Sequence, residues 1–113
     1  MRSRDLEVDG RIVALDKHGF LLNAGDWSEA LAKVLAAEEG LQLEDEHLQV
    51  LHALRNFYTE FQLSPAMRPL VRYLAQQLGP EIGNSLYLLK LFPGSPARVA
   101  SRLAGLPKPD NCL

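Results

Sequence analysis

Prolines and glycines divide most of this chain into short segments, each with apolar residues at helical spacing. The clearest boundaries combine serine and proline at the start of a segment with glycine after its end, as at Ser95-Pro96 and Gly105. Serine caps the first turn of a helix, proline fits its first position, and glycine accepts the left-handed conformation that often ends it. The pattern therefore predicts a chain built mainly of short helices.

Apolar spacing predicts two helices in the first half of the chain. The first covers about 27–39, because Asp26 and Glu29 form a capping-box-like pair before a run of apolar residues at helical spacing. The second begins at the acidic group 44–46, since negative charge stabilises the exposed backbone amides of a first helical turn. Apolar residues continue its stripe to Phe61.

Three more helices are predicted in the second half. Ser64, which is followed by proline, caps the third, and the apolar stripe of that helix ends at Gly79. Asn84 caps a short fourth helix that stops before the next proline. The Ser95-Pro96 start opens the fifth, which ends at Gly105.

The start of the chain follows a different pattern. Residues 6–8 and 11–15 flank Asp9-Gly10, a dipeptide that suits a tight turn because it tolerates positive φ. This arrangement predicts an N-terminal β-hairpin, on which 20–22 dock as a third short extended piece. The predicted fold is mainly α, a small orthogonal helical bundle with an N-terminal β-hairpin and a flexible C-terminal arm.

The predicted arm is the segment 106–113, and 1–105 form a single helical domain before it. Two alternate prolines in the arm remove backbone donors and favour extended conformations, so we expect it to be mobile and semi-stiff. Fully extended, the seven steps from Gly105 to Cys112 span at most about 23–25 Å. That length is enough to enter another protein.

Composition and charge narrow the classes of function. The net charge is −2, the one cysteine cannot form an internal disulfide, and no apolar run approaches the ~18 residues of a membrane span. With no signal-peptide pattern either, these features predict a cytoplasmic protein. The chain has 6 basic and 12 acidic residues up to Leu63, then 6 basic and 2 acidic residues. A basic second half favours an anionic partner, although acidic helix faces explain most of the asymmetry.

The lone cysteine, Cys112, lies in an unusual place for its residue type. Free cysteines are usually buried as small hydrophobes, but Cys112 follows two prolines and stands beside Asp110 and Asn111, where little apolar surface is available. Position alone leaves two interpretations open. The thiol has a chemical role, or it is an incidental exposed group.

Several motifs together resemble one family. Residues 91–96, 104–109 and 111–113, which read LFPGSP, AGLPKP and NCL, are similar to the TusE/DsrC family of sulfur-relay proteins. The Asp26-Trp27 helix start and the stretch 63–68 also look like that family, so the similarity covers nearly the whole chain. The terminal cysteine with its Pro-Lys-Pro lead-in is the most specific mark. The resemblance implies a β-hairpin on a helical bundle with a flexible C-terminal arm.

The resemblance also implies that Cys112 carries sulfur as a persulfide. The DsrC branch has another cysteine eleven residues earlier, where this chain has Ser101, and a hydroxyl cannot take part in the disulfide of that branch. The resemblance therefore points to the TusE branch. Its members receive sulfur from a TusBCD-type donor complex and deliver it to a tRNA 2-thiouridylase that acts on the wobble uridine. No cofactor is implied.

Charges near Cys112 are expected to slow its reactions in the free protein. Only a thiolate attacks another sulfur effectively, and a cysteine with an ordinary pKa of about 8.5 is a few per cent ionised at neutral pH. Asp110 and the carboxylate of Leu113 disfavour the thiolate, and only Lys108 opposes them. We therefore expect a partner to supply the activation when the arm docks.

Basic side chains in the second half offer a surface for a partner. Arg68 and Arg72, and likewise Arg98 and Arg102, are four residues apart on a predicted helix and share a face. Arg98, Arg102 and Lys108 are predicted to bind a partner, through tRNA phosphates or an acidic rim. Ordinary solvated helix faces are the alternative, and direct contact with tRNA stays open.

Other functions stay open as well. The second and third helices could form a helix-turn-helix, although the third begins without base-reading polar residues. Under this alternative, the protein is a nucleic-acid-binding module or a non-catalytic helical adaptor, and Cys112 has no chemical role. A single-thiol, DsrC-like partner of another sulfur-metabolism enzyme is a further option. His47 and His52 are five residues apart, off the spacing that shares a helix face, so no metal site is predicted.

Overall fold

The computed structural model of the chain describes residues 2–110. Within this range, an antiparallel hairpin of β1 (Arg4–Val8) and β2 (Arg11–Leu15) precedes five helices. The helices are α1 (Glu29–Glu38), α2 (Asp45–Phe61), α3 (Met67–Leu78), α4 (Ser85–Leu91) and α5 (Pro96–Leu103). The prediction of a mainly α bundle with an N-terminal hairpin is confirmed.

The hairpin turns at Asp9 and Gly10, as predicted. Their φ angles are 51° and 76°, and positive φ at both central residues is what the favoured two-residue turn between strands requires. Val13 and Leu15 of β2 are buried in the core, and Leu15 forms an isolated antiparallel bridge with Leu21. The predicted third extended piece is thus present as a single bridge.

Two helix starts differ from the predicted ones. Ser28 caps α1 instead of Asp26, because its hydroxyl accepts a hydrogen bond from the Leu31 amide at 3.1 Å. At α3, the N-cap position is Ala66, so the prediction that Ser64 caps this helix is wrong. In both places the sequence pattern locates the helix start to within three residues but does not identify the residue at the cap.

His47 is a structural histidine between α2 and α4. Its Nδ1 accepts a hydrogen bond from the Glu44 amide at 3.1 Å, and its Nε2 donates to the Leu91 carbonyl oxygen at 3.0 Å. The ring is buried against the edge of Phe92, with ring centroids 5.3 Å apart. Nδ1 therefore helps to cap α2 itself, and Nε2 joins α2 to α4.

Helix α5 is the centre of the bundle and contacts α1, α2, α3 and α4. Every residue of α5 except Arg98 is buried. Small side chains at Ala97, Ala100 and Ser101 let the neighbouring helices approach from several sides. The predicted arm is therefore attached to the most enclosed helix of the domain. None of the helices in the described range is long and apolar enough to cross a membrane.

Candidate functional site

The first residues of the predicted arm lie against the domain. Leu106 is fully buried in the core and Pro109 is buried as well, whereas Lys108 is exposed. The predicted boundary after Gly105 thus assigns a core residue, Leu106, to the arm. The predicted sulfur carrier, Cys112, lies outside the described residues, and the mobility of the arm stays a prediction. Residues 103–109 are called the arm root below.

Helix α5 ends in a turn that sets the direction of the arm root. Gly105 has a φ of 75°, and its amide donates to the Arg102 carbonyl oxygen at 3.1 Å. The Leu106 amide donates to the Ser101 carbonyl oxygen at 3.0 Å, which completes a Schellman motif. A β-carbon at Gly105 would lie 2.5 Å from Cδ1 of Trp27. Glycine is therefore needed here for its conformation and for its small size.

Two side chains from other parts of the domain bind the last carbonyl groups of α5. Trp27 Nε1 donates to the Leu103 carbonyl oxygen at 2.8 Å, and Arg55 Nη1 donates to that of Ala104 at 2.8 Å. Arg55 Nη2 donates to the Ala24 carbonyl oxygen at 3.0 Å. The guanidinium also lies 4.6 Å from the centre of the Trp27 ring, in a cation–π contact. Carbonyls at a helix end lack partners within the helix, so these donors replace water there.

Ser64 contacts the arm root two residues beyond the Schellman glycine. Its hydroxyl donates a hydrogen bond to the Pro107 carbonyl oxygen. This contact replaces the helix cap that the sequence predicts for Ser64. A segment with alternate prolines has few backbone donors of its own, so a side-chain hydroxyl is a suitable partner for one of its carbonyl groups.

An open groove of about 400 Å³ lies between the arm root and the loop that joins α2 to α3. Its lining is mostly apolar and includes Phe57, Leu63, Pro65, Pro69, Pro107 and Pro109. Leu63 is 54% exposed, so part of this apolar lining faces solvent. Asp110, the last described residue, lies at the same groove.

Arg102, one of the three residues predicted to bind a partner, is only 6% exposed. Its guanidinium donates to the carboxylates of Glu38 at 2.6 Å and Glu39 at 2.7 Å. It also donates to the Gly19 carbonyl oxygen at 2.9 Å. The side chain is therefore bound within the domain and is not presented to a partner.

The other basic residues are accessible. Arg98 has 35% of its side chain exposed and a longer contact of 3.4 Å with Glu39. Lys108 is exposed on the arm root, and Arg68 and Arg72 are exposed on α3. An exposed patch made of all three predicted residues is not present, because Arg102 is buried. Partner binding by Arg98 and Lys108 stays a prediction.

Glu38 connects the Arg102 network to the hairpin. Arg4 donates two hydrogen bonds to the Glu38 carboxylate, at 2.9 and 3.1 Å, and Arg102 donates a third. The bonds from Arg4 lower the pKa of Glu38 most, desolvation opposes this effect, and Arg102 lowers the pKa further. The carboxylate is therefore charged at neutral pH, and ion pairs link β1, α1 and α5.

Ser101 stands where the resemblance places a second cysteine in the DsrC branch. It is completely buried in α5. Its hydroxyl has no hydrogen-bond partner among the residues that the structure describes. Such a group loses its hydration without regaining a hydrogen bond, which costs about 1–3 kcal/mol.

We expect Ser101→Ala to leave the free energy of unfolding unchanged or to raise it by about 1 kcal/mol, because alanine removes the unpaired hydroxyl and favours the helix. Urea denaturation measures the change. Ser28→Ala is the matched control, since it removes a hydroxyl that caps α1, and it should lower stability by about 1 kcal/mol. Equal losses in the two variants would contradict the account of Ser101.

The histidine side chains offer no metal site in the described part of the chain. Between residues 2 and 110, no group of three or more His, Cys, Asp and Glu side chains is arranged to hold a metal ion. His52 Nε2 lies 2.8 Å from the Glu29 carboxylate, and its ring meets Trp27 edge-on at 5.4 Å. Packing and hydrogen bonding account for both of the helical histidines, His47 and His52.

Sequence reasoning misses the three side chains that bind the arm root. Trp27 is predicted as part of a helix start, Ser64 is predicted to be a helix cap, and Arg55 carries no prediction. The available signal is the resemblance itself, because two of its stretches, Asp26-Trp27 and 63–68, each contribute one of these contacts. Local spacing gives no such indication.

Residues 7–113 match the sequence model of a family described as DsrC like protein. The chain belongs to the DsrC-like family. The match extends over most of the described domain, the arm root and Cys112. The resemblance predicted from the motifs is confirmed.

Several relatives that match nearly the full chain are named as sulfurtransferases. Sulfurtransferase TusE of Pectobacterium atrosepticum is 53% identical over 108 residues, which cover 96% of this chain and 99% of that protein. Sulfurtransferase TusE of Yersinia pestis is also 53% identical, with the same coverage. Identity at this level over nearly the full length gives the chain a sulfur-carrier role.

Solved structures of the DsrC-like family share this fold. The NMR structure of DsrC from Allochromatium vinosum is 44% identical, covers 100% of both chains and has a TM-score of 0.88. The crystal structure of the oxidized gamma-subunit of the dissimilatory sulfite reductase (DsrC) from Archaeoglobus fulgidus is 35% identical, with a TM-score of 0.79. That match covers 97% of this chain and 100% of the other. The sequence identity to the two TusE proteins is higher than to either DsrC.

Proposed function

We propose that the protein carries sulfur as a persulfide on Cys112. It accepts the sulfur from a TusBCD-type donor complex and passes it to a tRNA 2-thiouridylase that modifies the wobble uridine. The observation that carries this proposal is that Cys112 is the single thiol in a chain 53% identical over 108 residues to TusE sulfurtransferases. Transfer between proteins by thiol exchange needs a thiolate, and Cys112 is the one cysteine of the sequence that can form it.

Each transfer is an exchange at sulfur that requires no added oxidant or reductant. The Cys112 thiolate attacks the outer sulfur of the donor persulfide, and the bond between the two donor sulfurs breaks. The donor leaves as a thiolate, while the transferred sulfur keeps its proton as the terminal group of the Cys112 persulfide. An acceptor thiolate then attacks that terminal sulfur, and Cys112 returns to the thiolate.

The serine at position 101 supports a relay between proteins. A chain with one cysteine cannot resolve its own persulfide into an internal disulfide. The added sulfur therefore stays on Cys112 until an acceptor thiol reaches it. This behaviour suits a carrier between a donor and a thiouridylase in the cytoplasm.

The domain and the arm have different tasks in this proposal. The helical domain docks on the partner, and the segment 106–113 delivers Cys112. Arg98 and Lys108 are accessible and are proposed to contact acidic groups on the partner. Arg102 is not included, because its guanidinium is occupied inside the domain.

A reconstituted relay tests the proposed function. It contains the sulfur donor, a TusBCD-type complex, this protein, the thiouridylase and unmodified tRNA. We expect formation of 2-thiouridine to depend on this protein and to fall to background when it is omitted, as measured by mass spectrometry of digested tRNA. Thiolation that proceeds equally well without the protein would contradict the proposal.

A further inference from the structure

We propose that Trp27, Arg55 and Ser64 are positioning residues that aim the arm toward the active site of a docked partner. They hold the arm root, 103–109, in one direction. The residues that lead to Cys112 therefore extend from the same point on the domain each time a partner docks. This inference rests on the proposed function of Cys112 and gives these three side chains a part in transfer.

The contacts at the end of α5 exceed what is needed to end a helix. The Schellman motif already satisfies the carbonyl groups of Ser101 and Arg102. The next two carbonyl groups are bound by Trp27 and Arg55, which come from the segment before α1 and from α2. Two distant parts of the chain thus converge on the two residues from which the arm departs.

Arg55 is committed to neutral partners at this position. Its guanidinium donates to two backbone carbonyl groups and stacks on the Trp27 ring. Burial partly removes this guanidinium from water and so lowers the pKa of Arg55. Arg102, by contrast, is bound by two carboxylates. A partly desolvated cation that donates to two carbonyl groups fixes the backbone positions of both, and a fixed backbone position is what aiming a segment requires.

Ser64 holds the backbone of the arm root beyond the end of α5. Its hydroxyl binds the Pro107 carbonyl oxygen, and the ring of Pro109 is buried further along. Proline restricts φ at both positions, so few additional contacts are needed to define the path. The arm root is therefore held at Leu103, Ala104, Leu106, Pro107 and Pro109.

Holding the arm root changes the volume that Cys112 can sample. Three steps separate Pro109 from Cys112, a span of at most about 10–11 Å. A chain free beyond the buried Leu106 has six steps to Cys112 and reaches about 20–22 Å, which corresponds to a volume about eightfold larger. Confinement raises the effective concentration of the thiol near its origin by up to the same factor. Release of the root should therefore slow transfer inside a docked complex.

Ser64→Ala tests the inference with little effect on the fold, because Ser64 caps no helix and is partly exposed. We expect kcat/KM for sulfur transfer from the persulfidated donor complex to fall about fivefold, the factor that one net hydrogen bond supplies. Loading from inorganic polysulfide, which requires no docking, should be unchanged. Ser64→Thr retains the hydroxyl and should keep the wild-type rate. Trp27→Phe keeps an aromatic ring but loses the hydrogen bond to the Leu103 carbonyl group, so its transfer kinetics provide a second test of the positioning role.

Amide relaxation at Lys108 gives a signature that altered stability would not produce. In the wild type we expect an order parameter typical of rigid backbone, about 0.85, and in Ser64→Ala a value below about 0.6. Ser64→Thr should restore the rigid value. A mobile Lys108 in the wild type, or wild-type transfer kinetics in Ser64→Ala and Trp27→Phe, would overturn the positioning role while leaving the carrier role intact. A wild-type protein that takes sulfur from neither source would overturn both.

Discussion

Cys112→Ser is expected to abolish sulfur transfer, with the rate of tRNA thiolation in the reconstituted relay falling to that of the reaction without the protein. A serine hydroxyl is not ionised at neutral pH and cannot hold a sulfur atom as a persulfide. The substitution changes one atom in the arm, so the thermal midpoint of the domain and its binding to the donor complex should stay at their wild-type values. Mass spectrometry of digested tRNA measures the loss.

Lys108→Ala is the matched control for this variant, because it also alters an exposed position of the arm. It removes a charge that is proposed to contact the partner. We expect the rate of tRNA thiolation to fall a few fold relative to the wild type, and we expect this difference to disappear at high salt. Undiminished thiolation by Cys112→Ser would show that the cysteine is incidental. The helical adaptor would then be the better interpretation.

Arg102→Ala is expected to lower the free energy of unfolding by about 3 kcal/mol. The substitution leaves Glu38, Glu39 and the Gly19 carbonyl group without a shared donor, and it opens a space in the enclosed helix α5. The loss lies at the lower end of the range for broken buried ion pairs, because the two carboxylates retain 31% and 17% side-chain exposure. Urea denaturation measures the effect.

Arg98→Ala is the matched control, since Arg98 lies one turn earlier on the same helix and contacts the same Glu39. Its longer contact of 3.4 Å and its 35% side-chain exposure predict a loss below about 1 kcal/mol. Equal losses in the two variants would contradict the structural role of Arg102. At temperatures where Arg102→Ala is folded, its loading with sulfur from inorganic polysulfide should match that of the wild type.

Features that depend on neighbouring residues could be predicted from the sequence. The hairpin follows from Asp9-Gly10, the end of α5 follows from Gly105, and Asn84 caps α4 as expected, with its side chain bound to the amides of Leu86 and Tyr87. Each of these is a local contact or a local backbone preference, so spacing and residue type are sufficient.

Features that depend on distant residues could not be predicted in the same way. Arg98 and Arg102 share a helical spacing, but α5 is surrounded by four helices, so no spacing within α5 indicates that Arg102 faces acidic groups on α1. Ser64 carries the pattern of a helix cap and binds Pro107 instead, 43 positions away. The same reason applies to Trp27 and Arg55, whose partners are 76 and 49 positions away.

The most direct test of the account is the mass of the intact protein after incubation with a persulfidated donor complex. The account predicts that the wild type gains one sulfur atom, that a thiol reductant removes it, and that Cys112→Ser gains none. A wild-type protein of unchanged mass, or an equal gain in Cys112→Ser, would contradict the claim that Cys112 carries the sulfur.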